Sequence, residues 1–198
     1  MLTAHAQTQR IALRPIEPGD GTAVYELLLR LGLHSLPPLE TFLSTYDRGA
    51  NAIFRITARH NGETVGFGSL QHLDPHGHIQ VGIFTDPDKA RLGIGGEAMM
   101  LLVNYAFATW EEVRKIYFLT TDVHLEAFGT TLARVPRELT LPEHVYFAGR
   151  LWDLHWYAIY REEWTALNAP VLDRLVRGPA VRTTLEPAAE PDSAPTPA

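Results

Sequence analysis

The order of elements predicts an α/β (α+β) domain on a central mixed, mostly antiparallel sheet of about seven strands, with helices on both faces. Three observations carry this expectation. Asn61-Gly62 separates two alternating runs, the strongest short-range sign of an antiparallel hairpin. Ile79 to Thr85 alternates, enters a glycine-rich turn, and is followed by a long apolar helix and another strand, a crossover of the parallel kind. Two β-rich runs around Gly149-Arg150 then read as a closing hairpin.

Taken in order, Arg10 to Ile16 is a first strand, ended by Pro15 and the turn Pro18-Gly19-Asp20. Ala23 to Leu33 is a helix, with Val24, Leu27, Leu28 and Leu31 at helical spacing. Pro37-Pro38 breaks it, and Leu39 to Tyr46 forms a second helix. Ala52 to Arg59 is the second strand, and the third runs through Val65, Phe67 and Ser69. The loop Leu73 to Gly77 leads to the fourth. The helix from about Gly93 to Trp110 is apolar on nearly every face (Ile94, Met99, Met100, Leu101, Leu102, Val103, Phe107) and should be central and buried. Lys115 to Thr120 is a strand and Leu125 to Ala133 a short helix. Arg134 to Pro142, with two prolines, reads as a loop or irregular edge. Val145 to Ala148 and Trp152 to Tyr160 form the closing hairpin, and Glu162 to Val176 a helix interrupted near Pro170. Residues 1–177 are expected to form one domain, followed by a disordered Pro/Ala-rich tail over 178–198.

The 198 residues contain no cysteine, so a disulfide framework or a cysteine-ligated zinc site is excluded. No long apolar run or signal-peptide core occurs, which points to the cytoplasm and away from a membrane. The net charge of −6 disfavours an extended nucleic-acid footprint.

Thr85 to Glu97, TDPDKARLGIGGE, organises the rest. A strand that enters a glycine turn and then a helix leaves backbone N–H groups unpartnered at the positive end of a helix dipole. That arrangement grips phosphate or pyrophosphate. A plain tight turn is the competing reading of Gly-x-Gly-Gly alone.

This element order, with the glycine turn between the fourth strand and the third helix, resembles the GNAT superfamily of N-acetyltransferases. Pro87, Asp88, Gly93, Ile94 and Gly95 match its donor-binding motif. Thr85 stands at the usual hydrophobic position, and Ala90 where a basic residue opens the motif's core, with Lys89 and Arg91 beside it. Leu101 to Phe107, Phe147 to Asp153 and Arg161 to Trp164 look like the branch that acetylates ribosomal-protein N-termini and many small molecules. The resemblance implies a sheet splayed after the fourth strand and an acyl-CoA donor, usually acetyl-CoA. It implies that amides of Ala90, Arg91, Leu92, Gly93, Ile94, Gly95 and Gly96 hold the pyrophosphate. Main-chain groups of Ile83, Phe84 and Thr85 would meet the pantetheine arm. An N–H near Phe84 or Thr85 would stabilise the tetrahedral oxyanion, by roughly 3–4 kcal/mol in comparable holes.

Direct transfer to an amine needs a base or water chain, and an acid for the departing thiolate. The Asn that often begins the next helix in this family is replaced by His124, and the Ser after it by Ala127, which leaves the acid unassigned. Asp122, His124 and Glu126 end the fifth strand and form the candidate catalytic cluster; helix capping by Asp122 is the competing reading. Glu97, one turn into the buried helix, is a further catalytic candidate, against a supporting role. His34, between the first two helices, and His72 and His78, in the histidine-rich loop, are candidates for the acceptor side. No metal is expected.

The expected function is acyl-CoA-dependent N-acyl transfer to a primary amine of a small molecule or a peptide N-terminus, by a monomer or homodimer. Ala90 motivates a second reading, with an aminoacyl-tRNA or carrier-protein donor. The missing hydroxyl acid motivates a third, a non-catalytic binding or scaffold module.

Overall fold

The computed structural model describes residues 2–33, 35–90, 92–122, 135–147 and 149–178. Its centre is one seven-stranded sheet: β1 (Ile11–Pro15), β2 (Ala50–Ala58), β3 (Thr64–Asp74), β4 (His78–Thr85), β5 (Lys115–Thr120), β6 (Arg137–Phe147) and β7 (Arg150–Tyr160). The strands lie in the order β1-β2-β3-β4-β5-β7-β6. Only β4 and β5 are parallel; the other five neighbouring pairs are antiparallel. The long crossover over residues 86–114 lets β4 and β5 run parallel, whereas short turns such as Asn61-Gly62 return the chain antiparallel.

Two helices, α1 (Asp20–Arg30) and α2 (Leu39–Leu43), cover one face. The other face is packed by α3 (Ile94–Thr109). It is also packed by a C-terminal segment: α4 (Arg161–Glu163), a π-helical turn (Trp164–Asn168) and α5 (Ala169–Arg177). Period-two alternation sorts the strands: Phe54, Ile56, Leu70, Ile79, Val81, Ile116 and Phe118 share a core with α3. Ile53, Phe67 and Phe84 face α1 and α2. The all-round apolarity of α3 has its expected result, with Leu101, Leu102, Val103 and Phe107 fully enclosed. Arg161 closes the far end of this helix, donating to the carbonyls of Phe107 (2.8 Å), Trp110 (2.5 Å) and Val113 (2.5 Å).

Two segments sharpen the sequence-based expectation. Arg137 to Pro142 belongs to β6 and is the irregular edge, not the loop, of the two expected alternatives. Prolines are tolerated on an edge strand, and β6 is the sheet edge, with a register break between Leu141 and Val145. The last helix is interrupted near Pro170, as expected, by the π-helical turn; Pro170 itself sits in the first turn of α5, where its missing N–H costs nothing. On β7, Tyr157 is buried, whereas Trp152, Trp156 and Tyr160 stand half-buried or exposed, and the Arg150 guanidinium covers the Trp152 ring.

On the uncovered part of the sheet, Glu138 binds Lys115 at 3.0 Å, the Tyr117 hydroxyl at 3.0 Å, and the Tyr160 hydroxyl. The Tyr160 bond holds the Glu138 carboxyl below its ordinary pKa; burial opposes this, and Lys115 and Tyr117 reinforce it. A carboxylate with a depressed folded pKa stabilises above its unfolded pKa and loses that contribution as pH falls through the folded one. Glu138→Gln is therefore expected to lower the urea midpoint at neutral pH. The gap should close well below about pH 4, where the Glu138 carboxyl is protonated in the folded as well as the unfolded state. A gap independent of pH would contradict this origin.

Candidate active site

The register between β4 and β5 covers only His78 to Val81 against Lys115 to Phe118. Past Val81 the strands part, while β4 stays paired with β3 as far as Thr85. Asp86 donates its N–H to Val65 of β3 at 2.9 Å. Because successive strand residues direct their main-chain groups to opposite neighbours, Thr85 and Ile83 direct theirs into the opening. Phe84 turns toward β3, so of the two expected oxyanion donors Thr85 has the suitable orientation. Gly66 makes this local path possible: a Cβ there would lie 2.4 Å from the Phe84 carbonyl oxygen.

A cavity of about 370 Å³ passes through the parted strands. Met99 and Phe118 wall it on the α3 face; Leu31, Leu33 and Gln80 wall it on the α1 face, beside Tyr146 and Phe147 of β6. Ile83, Phe84 and Thr85 all border it. Its wall thus draws on residues from both faces of the sheet.

The glycine turn stands at the start of α3. Gly93 adopts φ +84°, a left-handed conformation that glycine enters without strain. The first intrahelical bond is Glu97 N–H to the Gly93 carbonyl at 3.0 Å, so the amides of Ile94, Gly95 and Gly96 lie in the unpaired first turn. The Ala90 N–H, by contrast, is held by the Asp86 carbonyl at 2.7 Å. Arg91 lies outside the described residues.

A cation reaches this turn from a distant part of the chain. Arg10, just before β1, donates to the Leu92 carbonyl at 2.9 Å and stands 3.4 Å from the Glu97 carboxylate. Glu97 is buried, and its carboxylate is engaged by Arg10; it is absent from the cavity wall. It thus anchors the turn. Lys89 pairs with Glu63 of the β2–β3 turn at 3.2 Å. No local sequence pattern links Arg10 to Gly93.

Asp86, also buried, accepts Arg30 at 2.7 Å and the Asp88 N–H at 3.1 Å. This ties the last turn of α1 to the stretch that leads into the glycine turn. Asp86→Ala is expected to cost about 1–3 kcal/mol in chemical denaturation, since it strands a backbone donor and the guanidinium. An unchanged midpoint would show the tie to be inert.

Of the other candidates, Asp122 is largely exposed, with Oδ1 3.0 Å from Nε2 of buried His155, off the direction of a hydrogen bond. The Nδ1 of that ring meets the Thr140 hydroxyl at 2.9 Å. His34, His124 and Glu126 lie outside the described residues. His72 is exposed at φ +58°, in a β-bulge. His78 packs edge-on against Tyr117 and stands 3.5 Å from Asp74. Neither borders the cavity. Asp74 instead organises the turn: it accepts the His76 N–H at 2.7 Å and approaches the His76 ring at 2.7 Å, bonds that hold its pKa below the usual range. Among the described residues, no three His, Cys, Asp or Glu gather as a metal site, and no helix is long and apolar enough to cross a membrane.

Residues 22–128 match the model of the acetyltransferase (GNAT) family. The fold resembles the spermidine/spermine N-acetyltransferase SpeG from Vibrio cholerae, at 18% identity and TM-score 0.67 over 79% of this chain and 97% of that one. It also resembles a probable GNAT-family acetyltransferase from Chromobacterium violaceum, at 20% identity and TM-score 0.63 over 82% and 88%. A GCN5-related N-acetyltransferase from Brucella melitensis is similar at 20% identity and TM-score 0.65, over 84% and 82%. No curated protein matches the sequence. With more than half of its length matched to the family model, and the split sheet and glycine turn in place, this chain belongs to the GNAT family of acetyltransferases.

Proposed function

We propose that the protein transfers an acyl group, ordinarily acetyl, from coenzyme A to a primary amine by direct attack, in the cytoplasm. The observation that carries this reading is the cavity through the parted strands, which gives donor and acceptor separate faces of the sheet and one meeting point at Ile83 to Thr85. The turn suits the donor's pyrophosphate: among the described residues, the turn's own backbone aside, an added Cβ at Gly93 would meet only Arg10 within 4 Å, and the first-turn amides are free of intrahelical partners. Coenzyme A supplies the thioester and a thiolate leaving group.

The chain's own part is to bind, align and stabilise charge. The Leu92 to Gly96 segment and Arg10 hold the anionic end of the donor. The Thr85 N–H is oriented to polarise the thioester carbonyl and to receive the developing oxyanion. Leu31, Leu33 and Phe147 exclude bulk water from the meeting point. Among the described residues Tyr146 is the tyrosine that lines the cavity, and its hydroxyl is the candidate to exchange protons with amine or thiolate.

Arg10 also bears on the choice of donor. With a guanidinium delivered to the turn from β1, alanine at position 90 no longer calls for a tRNA or carrier-protein donor. Calorimetry with acetyl-CoA and free coenzyme A, followed by thiol release over a panel of primary amines, tests the reading. Binding with amine-dependent thiol release is expected. No binding of either ligand would overturn it; binding without thiol release would favour the scaffold reading.

A further inference from the structure

A second cavity, of about 140 Å³, lies under α1 and α2. Its apolar wall is Val24, Leu28, Phe42, Ile53 and Phe67, with Tyr46 beside them. The aromatic part is fixed internally: Tyr25 meets Phe42 edge-on at 5.1 Å, and Phe42 stacks on Tyr46 at 5.5 Å. Gln71 and Phe84 belong to the walls of both this cavity and the larger one. The smaller space therefore adjoins the reaction point on the α1 face, opposite the donor's helix.

We propose that this cavity is a subsite for an apolar group carried by the acceptor, and that the acceptor is an arylalkyl or branched alkyl primary amine rather than a polyamine. This rests on the acyl-transfer reading above. Size supports it: an apolar cavity of about 150 Å³ takes up benzene. Charge supports it too. Among the described residues, neither cavity has a carboxylate in its wall. Asp47 and Asp20 act on Tyr46, whose hydroxyl pKa is raised first by burial and then by these two, but neither is in the cavity wall. Asp20 is already committed to Arg55 at 3.3 Å and to the Glu17 N–H at 2.6 Å. A second ammonium pushed into the subsite would lose hydration with no counter-charge in its wall. An apolar group seated there leaves the reacting amine beside Gln71 and Phe84, facing the thioester.

Steady-state kinetics with acetyl-CoA and the full chain test this, using ethylamine, phenethylamine and spermidine. Phenethylamine should exceed both of the others in kcat/KM by about 10- to 100-fold, the usual worth of filling an apolar pocket. Val24→Trp, or Ala50→Leu if the first variant does not fold, should reduce the phenethylamine-to-ethylamine ratio to within about threefold. A ratio unaffected by filling the cavity, or spermidine as the equal or better substrate, would overturn the proposal. A parallel series with hexanoyl-CoA and ethylamine assigns the source of the apolar group. A gain for hexanoyl over acetyl that Val24→Trp abolishes, with no amine selectivity, would give the cavity to the acyl chain and overturn the acceptor assignment. Failure to bind acetyl-CoA would overturn the acyl-transfer reading and this one with it; turnover without tail selectivity would overturn this one alone.

Discussion

Gly93→Asp is expected to lower acetyl-CoA affinity at least about 100-fold while leaving the protein folded. The left-handed conformation at this position costs a non-glycine residue about 1–2 kcal/mol, and aspartate tolerates it better than most. Among the described residues, the turn's own backbone aside, an added Cβ meets only the Arg10 guanidinium, at 3.5 Å. The new carboxylate would therefore pair with Arg10 and put a negative charge where the donor's phosphates must approach. Gly93→Asn has the same shape without the charge and should lose much less. Calorimetry on the three proteins, with thermal melts as the check on folding, separates repulsion from bulk. Equal losses for Asp and Asn would leave only bulk, and full affinity in Gly93→Asp would place the pyrophosphate elsewhere.

Gly66→Ala should act on turnover more than on donor affinity. Its Cβ would stand 2.4 Å from the Phe84 carbonyl oxygen and 3.0 Å from the Thr85 Cα, and both are backbone atoms that cannot rotate away. β4 must shift, and the main chain of Ile83 and Thr85 shifts with it. Overpacking of this kind costs about 1–3 kcal/mol of stability. Misplacing one oxyanion donor costs about 10²–10³-fold in kcat. Gly19→Ala is the matched control, since nothing lies within 4 Å of its added Cβ. Wild-type kcat in folded Gly66→Ala would remove Thr85 from the oxyanion role.

Most of the fold is legible in the sequence because its strands and helices announce themselves by local period. Asn61-Gly62 marks the β2–β3 hairpin, and the unbroken apolarity of α3 marks it as central. The β6 edge is harder to read, since Pro136 and Pro142 look like loop residues until the unpaired edge of the sheet is known. The donor turn is legible through its glycines. Its supporting cation is not, because the contact of Arg10 with Leu92 and Glu97 depends on how β1 lies against α3. The acceptor side is the least legible part. Leu31, Leu33, Gln71 and Tyr146 carry no motif and meet only through tertiary packing, whereas the histidines that catch the eye at 72 and 78 serve a bulge and an aromatic contact.

The placement of Arg10 has a thermodynamic consequence. Its side chain joins the first strand of the sheet to the turn that opens α3, so the order of the amino-terminal edge and the order of the donor turn are linked equilibria. A ligand that selects the formed turn must, by the same free energy, select a docked first strand. The slowest-exchanging amides of β1 would then report donor occupancy from a place that the donor never touches.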